Sequence, residues 1–165
     1  DAYLCAACGL FQGDQAGNFL PDGPMTRAAL VTTLWRLAGT PEAPARTDFA
    51  DIAAGAWYET AVNWAASSGV ASGTGSGFDP DAPMTREQFA AMLYRFAGTP
   101  SLAEGSSTVL DAYVDSSEVS QWAADAVAWA VEEGVLTGKP GERLDPSGAA
   151  SRAEAAVMLA RCLAE

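Results

Sequence analysis

An internal repeat is the feature that most constrains how this chain can fold. A proline occurs at positions 21, 80 and 146, and an arginine follows six residues later each time, so both series step by 59 and then 66 residues. After each arginine the apolar residues recur at helical spacing, and a second arginine lies nine residues on. Units of this size cannot bury their own apolar faces, so they must pack on one another. We therefore predict an all-α fold of tandem helix–loop–helix units that form one compact module.

The spacing divides the chain into three units, predicted at residues 1–40, 47–98 and 109–165. The second and third units each carry a further helix before the arginine helix, whereas the first unit retains only the end of it. On that earlier helix, Trp64 and Trp129 share an apolar stripe with alanines and are predicted to lie in the core. Segments rich in Pro, Ser and Gly, at 40–47 and 99–108, connect the units.

The repeated arginines occupy an electrostatically unfavourable position. Thr85 with Gln88, and Ser151 with Glu154, match the capping-box pattern of a helix start, which places the arginine between them in the first helical turn. The helix dipole makes a cation there cost a few tenths to about 1 kcal/mol. Either an external anion compensates for this, helped by the N–H groups of the helix terminus, or the arginine pairs with an internal acid such as Asp51 or Asp115.

Composition excludes several classes of function. The formal net charge of −12 repels nucleic acid phosphates and anionic lipid, so neither partner is expected. The chain has no histidine, which removes the commonest general base and a common zinc ligand. Asp and Glu are numerous enough to leave open a glycosidase that uses only carboxylates. However, no carboxylate in the sequence stands out as catalytic. No apolar run approaches 18 residues, so no membrane insertion is expected.

Two sequence features invite a metal or redox interpretation, and neither is favoured. Cys5 and Cys8 have the C-x-x-C spacing, but with Cys162 they supply only three soft ligands, and buried small-residue positions are the preferred interpretation. A disulfide involving Cys162 stays open. The glycine- and aspartate-rich loops at 13–23 and 73–82 lack the ligand order of an EF-hand. No metal and no cofactor are expected.

The repeated residues resemble the S-layer homology family across nearly the whole chain. The third unit carries Ser151-Arg152-Ala153-Glu154, close to the family's Thr-Arg-Ala-Glu signature, and the first unit carries only the second half of the pattern. The second unit matches in full, with Phe49-Ala50-Asp51, Trp57-Tyr58, Gly69-Val70, Gly77-Phe78-Asp79-Pro80 and Thr85-Arg86-Glu87.

This resemblance implies a fold and a function. Such repeats come in threes, form a three-pronged body with pseudo-threefold symmetry, and attach exported proteins to the bacterial cell wall without covalent bonds. The implied ligand is a secondary cell wall polysaccharide that carries a pyruvate ketal, bound in grooves between repeats by the signature arginine. The chain is then an extracellular, non-catalytic module, fused to a larger exported protein. A repeat scaffold for protein–protein contact or surface-layer self-assembly is the alternative.

The candidate ligand-binding residues combine a charge and an apolar surface. A guanidinium can bind the ketal carboxylate through two hydrogen bonds, and an aromatic ring can cover the apolar face of a sugar. The alternative for the loop acids is that they cap the helices that follow them, and the alternative for the loop glycines is that they only permit tight turns. If the arginines face the ligand, Arg86→Ala should weaken wall binding and leave stability nearly unchanged. The candidates are Arg27, Arg86, Arg152, Trp57, Tyr58, Trp122, Asp51, Asp115, Gly73 and Gly138.

Overall fold

The computed structural model describes Phe11, residues 18–43 and residues 47–163. Within those ranges the chain is helical and contains no sheet, which confirms the predicted all-α fold. Three short 3₁₀ helices, Ser106–Ala112, Ser116–Glu118 and Gln121–Ala123, precede the fourth α-helix. The α-helices are α1 (Arg27–Leu37), α2 (Glu59–Ser67), α3 (Arg86–Phe96), α4 (Ala124–Glu132) and α5 (Arg152–Cys162).

The helix termini form where the sequence predicts them. Thr85 and Gln88 make a complete capping box at the start of α3, and Ser151 and Glu154 make another at α5. At α1 the cap is simpler, because only the Thr26 side chain accepts a hydrogen bond, from the N–H of Ala29. Helices α1 and α3 end before glycines whose φ of +84° places them in the left-handed region that glycine adopts without strain.

The three units meet at a closed ring of backbone hydrogen bonds. Met25 N donates to Ala150 O at 2.9 Å, Met84 N donates to Met25 O at 2.8 Å, and Ala150 N donates to Met84 O at 2.8 Å. These residues hold equivalent positions in the repeat and are fully buried. Each unit therefore donates to one neighbour and accepts from the other, which is the hydrogen-bond pattern of a pseudo-threefold arrangement.

Each arginine helix docks its first turn onto the proline segment of the next unit. Its first two N–H groups donate to carbonyls of that segment, and the third donates to the capping Thr or Ser. The hypothesis that these N–H groups attract an external anion is therefore wrong, because the protein already supplies their acceptors. The first N–H bonds are Arg27 to Ala82, Arg86 to Gly148 and Arg152 to Gly23, at 3.1, 2.9 and 2.8 Å.

The remaining helices complete the core around this centre. Helix α2 packs on α1, and α4 packs on α3. Trp64 contacts Phe96 edge-on with ring centroids 6.3 Å apart, and Trp129 lies 5.5 Å from Tyr94. Both tryptophans are buried, as predicted. Among the helices of the described ranges, none has the length and apolar character needed to cross a bilayer.

The structure describes only one of the three cysteines. Cys162 is half-buried near the end of α5 and packs against the core. Cys5 and Cys8 lie outside the described residues, as does the predicted helix end in the first unit.

Candidate functional site

The side chains of the three repeated arginines link the units in a cycle. In each case the guanidinium Nε donates to the backbone carbonyl of the residue two positions before the repeated proline of the next unit. Because that carbonyl belongs to a different unit each time, the three bonds form a second ring outside the central one. The bonds are Arg27 to Phe78 at 2.7 Å, Arg86 to Leu144 at 2.7 Å, and Arg152 to Phe19 at 2.8 Å.

Two of these arginines hold a second carbonyl of the same neighbour. Arg27 Nη2 donates to Ser72 O at 2.9 Å, and Arg86 Nη2 donates to Thr137 O at 2.8 Å. Arg86 also contacts an acid, because its Nη1 lies 3.2 Å from Glu154 Oε1. The guanidinium therefore satisfies buried carbonyls that a short side chain could not reach, which explains why an arginine recurs at an unfavourable helix position.

Burial dominates the electrostatics of the arginines. Arg27 is 7% exposed and Arg86 is 3% exposed, whereas Arg152 is half-buried. Burial lowers the pKa of all three guanidinium groups, and Glu154 opposes this effect at Arg86. An arginine keeps its charge even so, because its ordinary pKa lies far above neutral pH. The Arg27 and Arg86 sites therefore each hold a permanent cation that is mostly removed from water.

The loop acids have a structural role that the sequence did not reveal. Asp51 accepts hydrogen bonds from the backbone N–H groups of Phe78 and Asp79, at 2.9 and 2.7 Å. Asp115 does the same for Leu144 and Asp145, at 2.7 and 2.8 Å. The alternative that these acids cap the following helices is wrong, since α2 and α4 begin several residues later without a side-chain cap. Pairing of Asp51 or Asp115 with Arg86 is also wrong, since its partner is Glu154.

These backbone bonds set the charge state of the two acids. The N–H groups of Phe78 and Asp79 lower the pKa of Asp51. Burial is the largest single effect at Asp115 and raises its pKa, but the N–H groups of Leu144 and Asp145, with Arg143, together outweigh it, so the net pKa is lowered. Both carboxylates therefore stay ionised in the folded protein down to lower pH than in the unfolded chain.

Acid should remove this contribution to stability. A carboxyl whose folded pKa is depressed stabilises the fold above its unfolded pKa, about 3.9, and the stabilisation is lost as pH falls through the folded pKa. At pH 7, Asp115→Asn should cost about 1–3 kcal/mol, because the amide cannot accept from both N–H groups. Urea unfolding at pH 7, 5 and 3 should show the gap between wild type and variant closing only below about pH 4. A gap that is as large at pH 3 as at pH 7 would contradict the titration argument.

The two loop glycines are explained by internal packing. A Cβ on Gly73 would lie 2.6 Å from the ring of Phe49, and a Cβ on Gly138 would lie 2.5 Å from the ring of Tyr113. Each ring therefore packs directly against the backbone of the loop. The same glycines also lie beside the repeated arginines, so their ligand contacts remain a prediction rather than the reason for glycine.

Two grooves of equivalent construction lie beside the buried arginines. The Arg27 groove has a volume of about 170 Å³ and the Arg86 groove has a volume of about 280 Å³. In both, the repeated arginine of one unit meets the glycine loop and the arginine helix of the next. The Arg27 groove is lined by Arg27, Ser72, Gly73, Gln88, Ala91, Met92, Arg95 and Trp122. The Arg86 groove is lined by Arg86, Leu136, Thr137, Gly138, Lys139, Ala153, Glu154, Val157, Met158 and Arg161.

The grooves bring together some of the predicted residues and omit others. Trp122 is 58% exposed and lines the Arg27 groove, whereas Trp57 is 62% exposed and contacts Tyr58 edge-on at 5.1 Å outside both grooves. Asp51 and Asp115 lie behind the loops rather than on a groove wall. Arg95 was recognised in the sequence only as a cation at a helix end. The nine-residue spacing after the repeated arginine was the signal, because it places Arg95 in the groove of Arg27 and Arg161 in the groove of Arg86.

The fold and the grooves define a class of protein: an all-α repeat module with cationic grooves between successive units. The S-layer homology domain model matches residues 3–31, 48–90 and 112–156, one segment in each unit. The chain belongs to the S-layer homology family. It is therefore a non-catalytic anchoring module of the bacterial cell surface.

Several curated relatives contain a region similar to this chain. It is 30% identical over 162 residues to the surface-layer 125 kDa protein of Lysinibacillus sphaericus, covering 94% of this chain and 13% of the relative. It is 27% identical to a cellulosome-anchoring protein of Acetivibrio thermocellus, covering 92% and 35%. It is also 27% identical to an amylopullulanase of Thermoanaerobacterium thermosulfurigenes, covering 91% and 8%. The chain thus spans about a third or less of these relatives.

Proposed function

We propose that this module anchors its parent protein by binding an anionic cell wall polysaccharide in the grooves between its units. The observation that carries the proposal is the shared construction of the Arg27 and Arg86 grooves. Each contains a buried arginine from one unit and a second arginine, Arg95 or Arg161, from the next unit. A pyruvate ketal on a sugar supplies the carboxylate that such a pair would bind.

The charge distribution supports a local anionic ligand. The module has a net charge of −12, so most of its surface repels a polyanion. The grooves concentrate basic side chains in clefts that are partly removed from water, where charge attraction is stronger and less screened by salt. An acidic polymer would therefore be held at the grooves and not elsewhere on the surface.

The same plan extends the proposal to Arg152. Its Nε bond to Phe19 O repeats the bond of the other two arginines, and Trp57 precedes α2 as Trp122 precedes α4. Because α2 packs on α1 as α4 packs on α3, we propose that Trp57, with Tyr58 beside it, takes the place of Trp122 next to a third groove.

The parent protein is proposed to be larger than this module and to carry a separate activity. The relatives include a surface-layer protein, a cellulosome-anchoring protein and an amylopullulanase, and the matching region is a small part of each. Their names differ while the anchoring region is shared, which supports attachment as the contribution of this chain.

Sedimentation with purified cell walls tests the proposal. The protein should sediment with intact walls and should stay in solution with walls from which the polysaccharide has been chemically removed. Added salt should weaken the binding, as expected for a charged ligand. Equal binding to stripped walls would contradict a polysaccharide ligand, and self-association without walls would favour the alternative of a protein–protein scaffold.

Trp122 offers a direct test of the sugar surface. Trp122→Ala should weaken wall binding by about tenfold, roughly 1.4 kcal/mol, because the exposed indole that covers the sugar is lost. Trp122→Phe should recover most of the affinity, since it retains an aromatic face. Stability should change by less than about 1 kcal/mol, because the side chain is already 58% exposed. Unchanged wall binding by the alanine variant would remove Trp122 from the site.

A further inference from the structure

A buried carboxylate, Glu87, lies in the first turn of α3 and forms no salt bridge with a described residue. Glu87 is 8% exposed. Its Oε2 accepts a hydrogen bond from Ser120 N at 2.9 Å, and its Oε1 accepts one from the Ser120 hydroxyl at 2.8 Å. Both oxygens of a side chain that is removed from water therefore bind one residue of the next unit.

The other two units have no carboxylate at this position. Ala28 and Ala153 are the equivalents of Glu87, since each directly follows the repeated arginine. Ala28 is fully buried, so the fold accepts a small apolar side chain here. Burial of a carboxylate costs free energy that an alanine does not incur, and in some proteins such groups are retained because they fix one conformation. The conformation that Glu87 can fix is that of the segment beginning at Ser120.

This segment carries the exposed ring of the Arg27 groove. Ser120 directly precedes the 3₁₀ helix Gln121–Ala123, which packs on α3 and continues into α4. Trp122 is the middle residue of that helix and is 58% exposed, so less than half of its surface is covered by the protein. The orientation of such a ring depends on what anchors the backbone beside it. The two bonds from Glu87 to Ser120 provide an anchor two residues away.

The Arg27 groove is built from all three units. Arg27 belongs to the first unit, the loop with Gly73 and the wall helix α3 belong to the second, and Trp122 belongs to the third. Glu87 is part of the wall helix, whereas Ser120 is part of the segment that carries the ring. Their two hydrogen bonds therefore attach the ring of the third unit to the groove wall of the second.

The equivalent tryptophan, Trp57, is anchored in a different way. The N–H two residues before it, Gly55 N, donates to Glu59 Oε2 at 2.7 Å, and Glu59 lies in the first turn of α2. This bond joins the Trp57 segment to its own helix and not to an arginine helix. In the third unit Ala124 holds the place of Glu59, so the local bond cannot form there. Glu87 supplies the acceptor from α3 instead.

We propose that Glu87 is a positioning residue for ligand binding, which fixes Trp122 against the Arg27 groove through Ser120. Glu87 is not among the described residues that line the groove, so it acts through the indole and not on the ligand. Trp57, by contrast, follows the orientation of its own helix. This inference rests on the proposed function and adds to it a residue that has no groove contact of its own.

The indole N–H signals of Trp122 and Trp57 test the positioning directly. In isotopically labelled protein, with the two signals assigned from Trp122→Phe and Trp57→Phe, the heteronuclear NOE reports fast motion of each ring. Glu87→Ala should lower the NOE of Trp122 and leave that of Trp57 unchanged. Glu59→Ala is the matched control and should do the reverse, because it removes the local bond of the other segment. An unchanged NOE of Trp122 in Glu87→Ala would contradict the proposal.

Sedimentation with purified cell walls tests whether the positioned ring matters for binding. Glu87→Ala should lower the affinity for walls about threefold to tenfold, and it should have no further effect when Trp122 is already alanine, because it acts through the missing ring. Glu87→Gln should recover most of the affinity, since its Oε1 can accept from Ser120 N while its Nε2 donates to the Ser120 hydroxyl oxygen. Circular dichroism of all these variants should resemble that of the wild type.

The outcomes separate this inference from the proposed function. If Glu87→Ala weakens wall binding equally with and without the Trp122 ring, Glu87 only supports the contact between units, and the positioning role is overturned while anchoring stands. Full wall binding by Glu87→Ala would overturn it as well. Failure of the wild type to sediment with walls would overturn the proposed function, and the NOE comparison would still decide whether Glu87 fixes the ring. If Glu87→Ala does not fold, Ser120→Ala provides the same comparisons, since it removes only the hydroxyl.

Discussion

Arg86→Ala is expected to lower the free energy of unfolding by about 3–5 kcal/mol, the cost of removing one partner from a buried ionic network. The substitution leaves the carbonyls of Leu144 and Thr137 without their donors and leaves Glu154 without its nearest cation. It also opens the link between the second and third units. Chemical unfolding followed by circular dichroism at neutral pH measures the loss.

Arg161→Ala is the matched control, because it removes the other arginine of the same groove. Arg161 is exposed and donates to the Thr137 hydroxyl at 3.1 Å, so its loss should change stability by no more than about 0.5 kcal/mol. Wall binding could still weaken in that variant through its charge. An Arg86→Ala protein as stable as the Arg161→Ala protein would show that the buried carbonyls contribute little.

This expectation for Arg86 reverses the one drawn from the sequence alone. An arginine presented to an external ligand would be removable at little cost to the fold. The guanidinium of Arg86 donates from Nε and Nη2 to backbone carbonyls. Removing this side chain therefore affects folding as well as any ligand binding. The Arg27 groove is the better place to measure affinity, through Gln88 and Trp122, because neither residue holds two units together.

Phe78→Ala is expected to have a second large effect, about 3–5 kcal/mol, as usual for truncating a buried aromatic residue. The Phe78 ring is fully buried, lies 5.6 Å from the Phe49 ring, and has the guanidinium carbon of Arg27 4.7 Å from its centroid. Its removal leaves a cavity and takes away the surface on which Arg27 rests. Urea unfolding measures the first effect, and sedimentation with cell walls measures the second.

The repeat itself supplies the control for this variant. Leu144 occupies the equivalent position in the third unit and is equally buried, so Phe78→Leu installs a side chain that the same fold already accommodates. It should cost less than about 1.5 kcal/mol. Wall binding should fall further in Phe78→Ala than in Phe78→Leu. Equal losses of stability in the two variants would mean that the side-chain volume at position 78 does not determine its contribution to stability.

The repeats share their backbone hydrogen bonds but differ in the residues that surround the repeated arginine. Arg27 rests on the Phe78 ring and forms no ion pair with a described residue, whereas Arg86 faces Leu144 and pairs with Glu154. A cation over an aromatic face is stabilised without being neutralised, which leaves its charge available to a ligand. A cation paired with a carboxylate is neutralised.

The sequence by itself determined the helical class, the family, the capping boxes of α3 and α5, and the glycines that end the helices. These features depend on residues a few positions apart, so apolar spacing and short-range hydrogen bonds specify them. Trp64 and Trp129 were likewise predictable as core residues from periodicity alone.

Only the tertiary structure decided where the polar groups of the site find their partners. Arg27 bonds Phe78, 51 residues away, and Arg152 closes the cycle by bonding Phe19, 133 residues away. Asp51 and Asp115 hold loop N–H groups 27–30 residues ahead instead of capping the nearby helices. A buried donor or acceptor must be satisfied, but the packing of one unit on the next selects which group satisfies it. Local sequence therefore specifies the need for a partner, and the pseudo-threefold assembly specifies its identity.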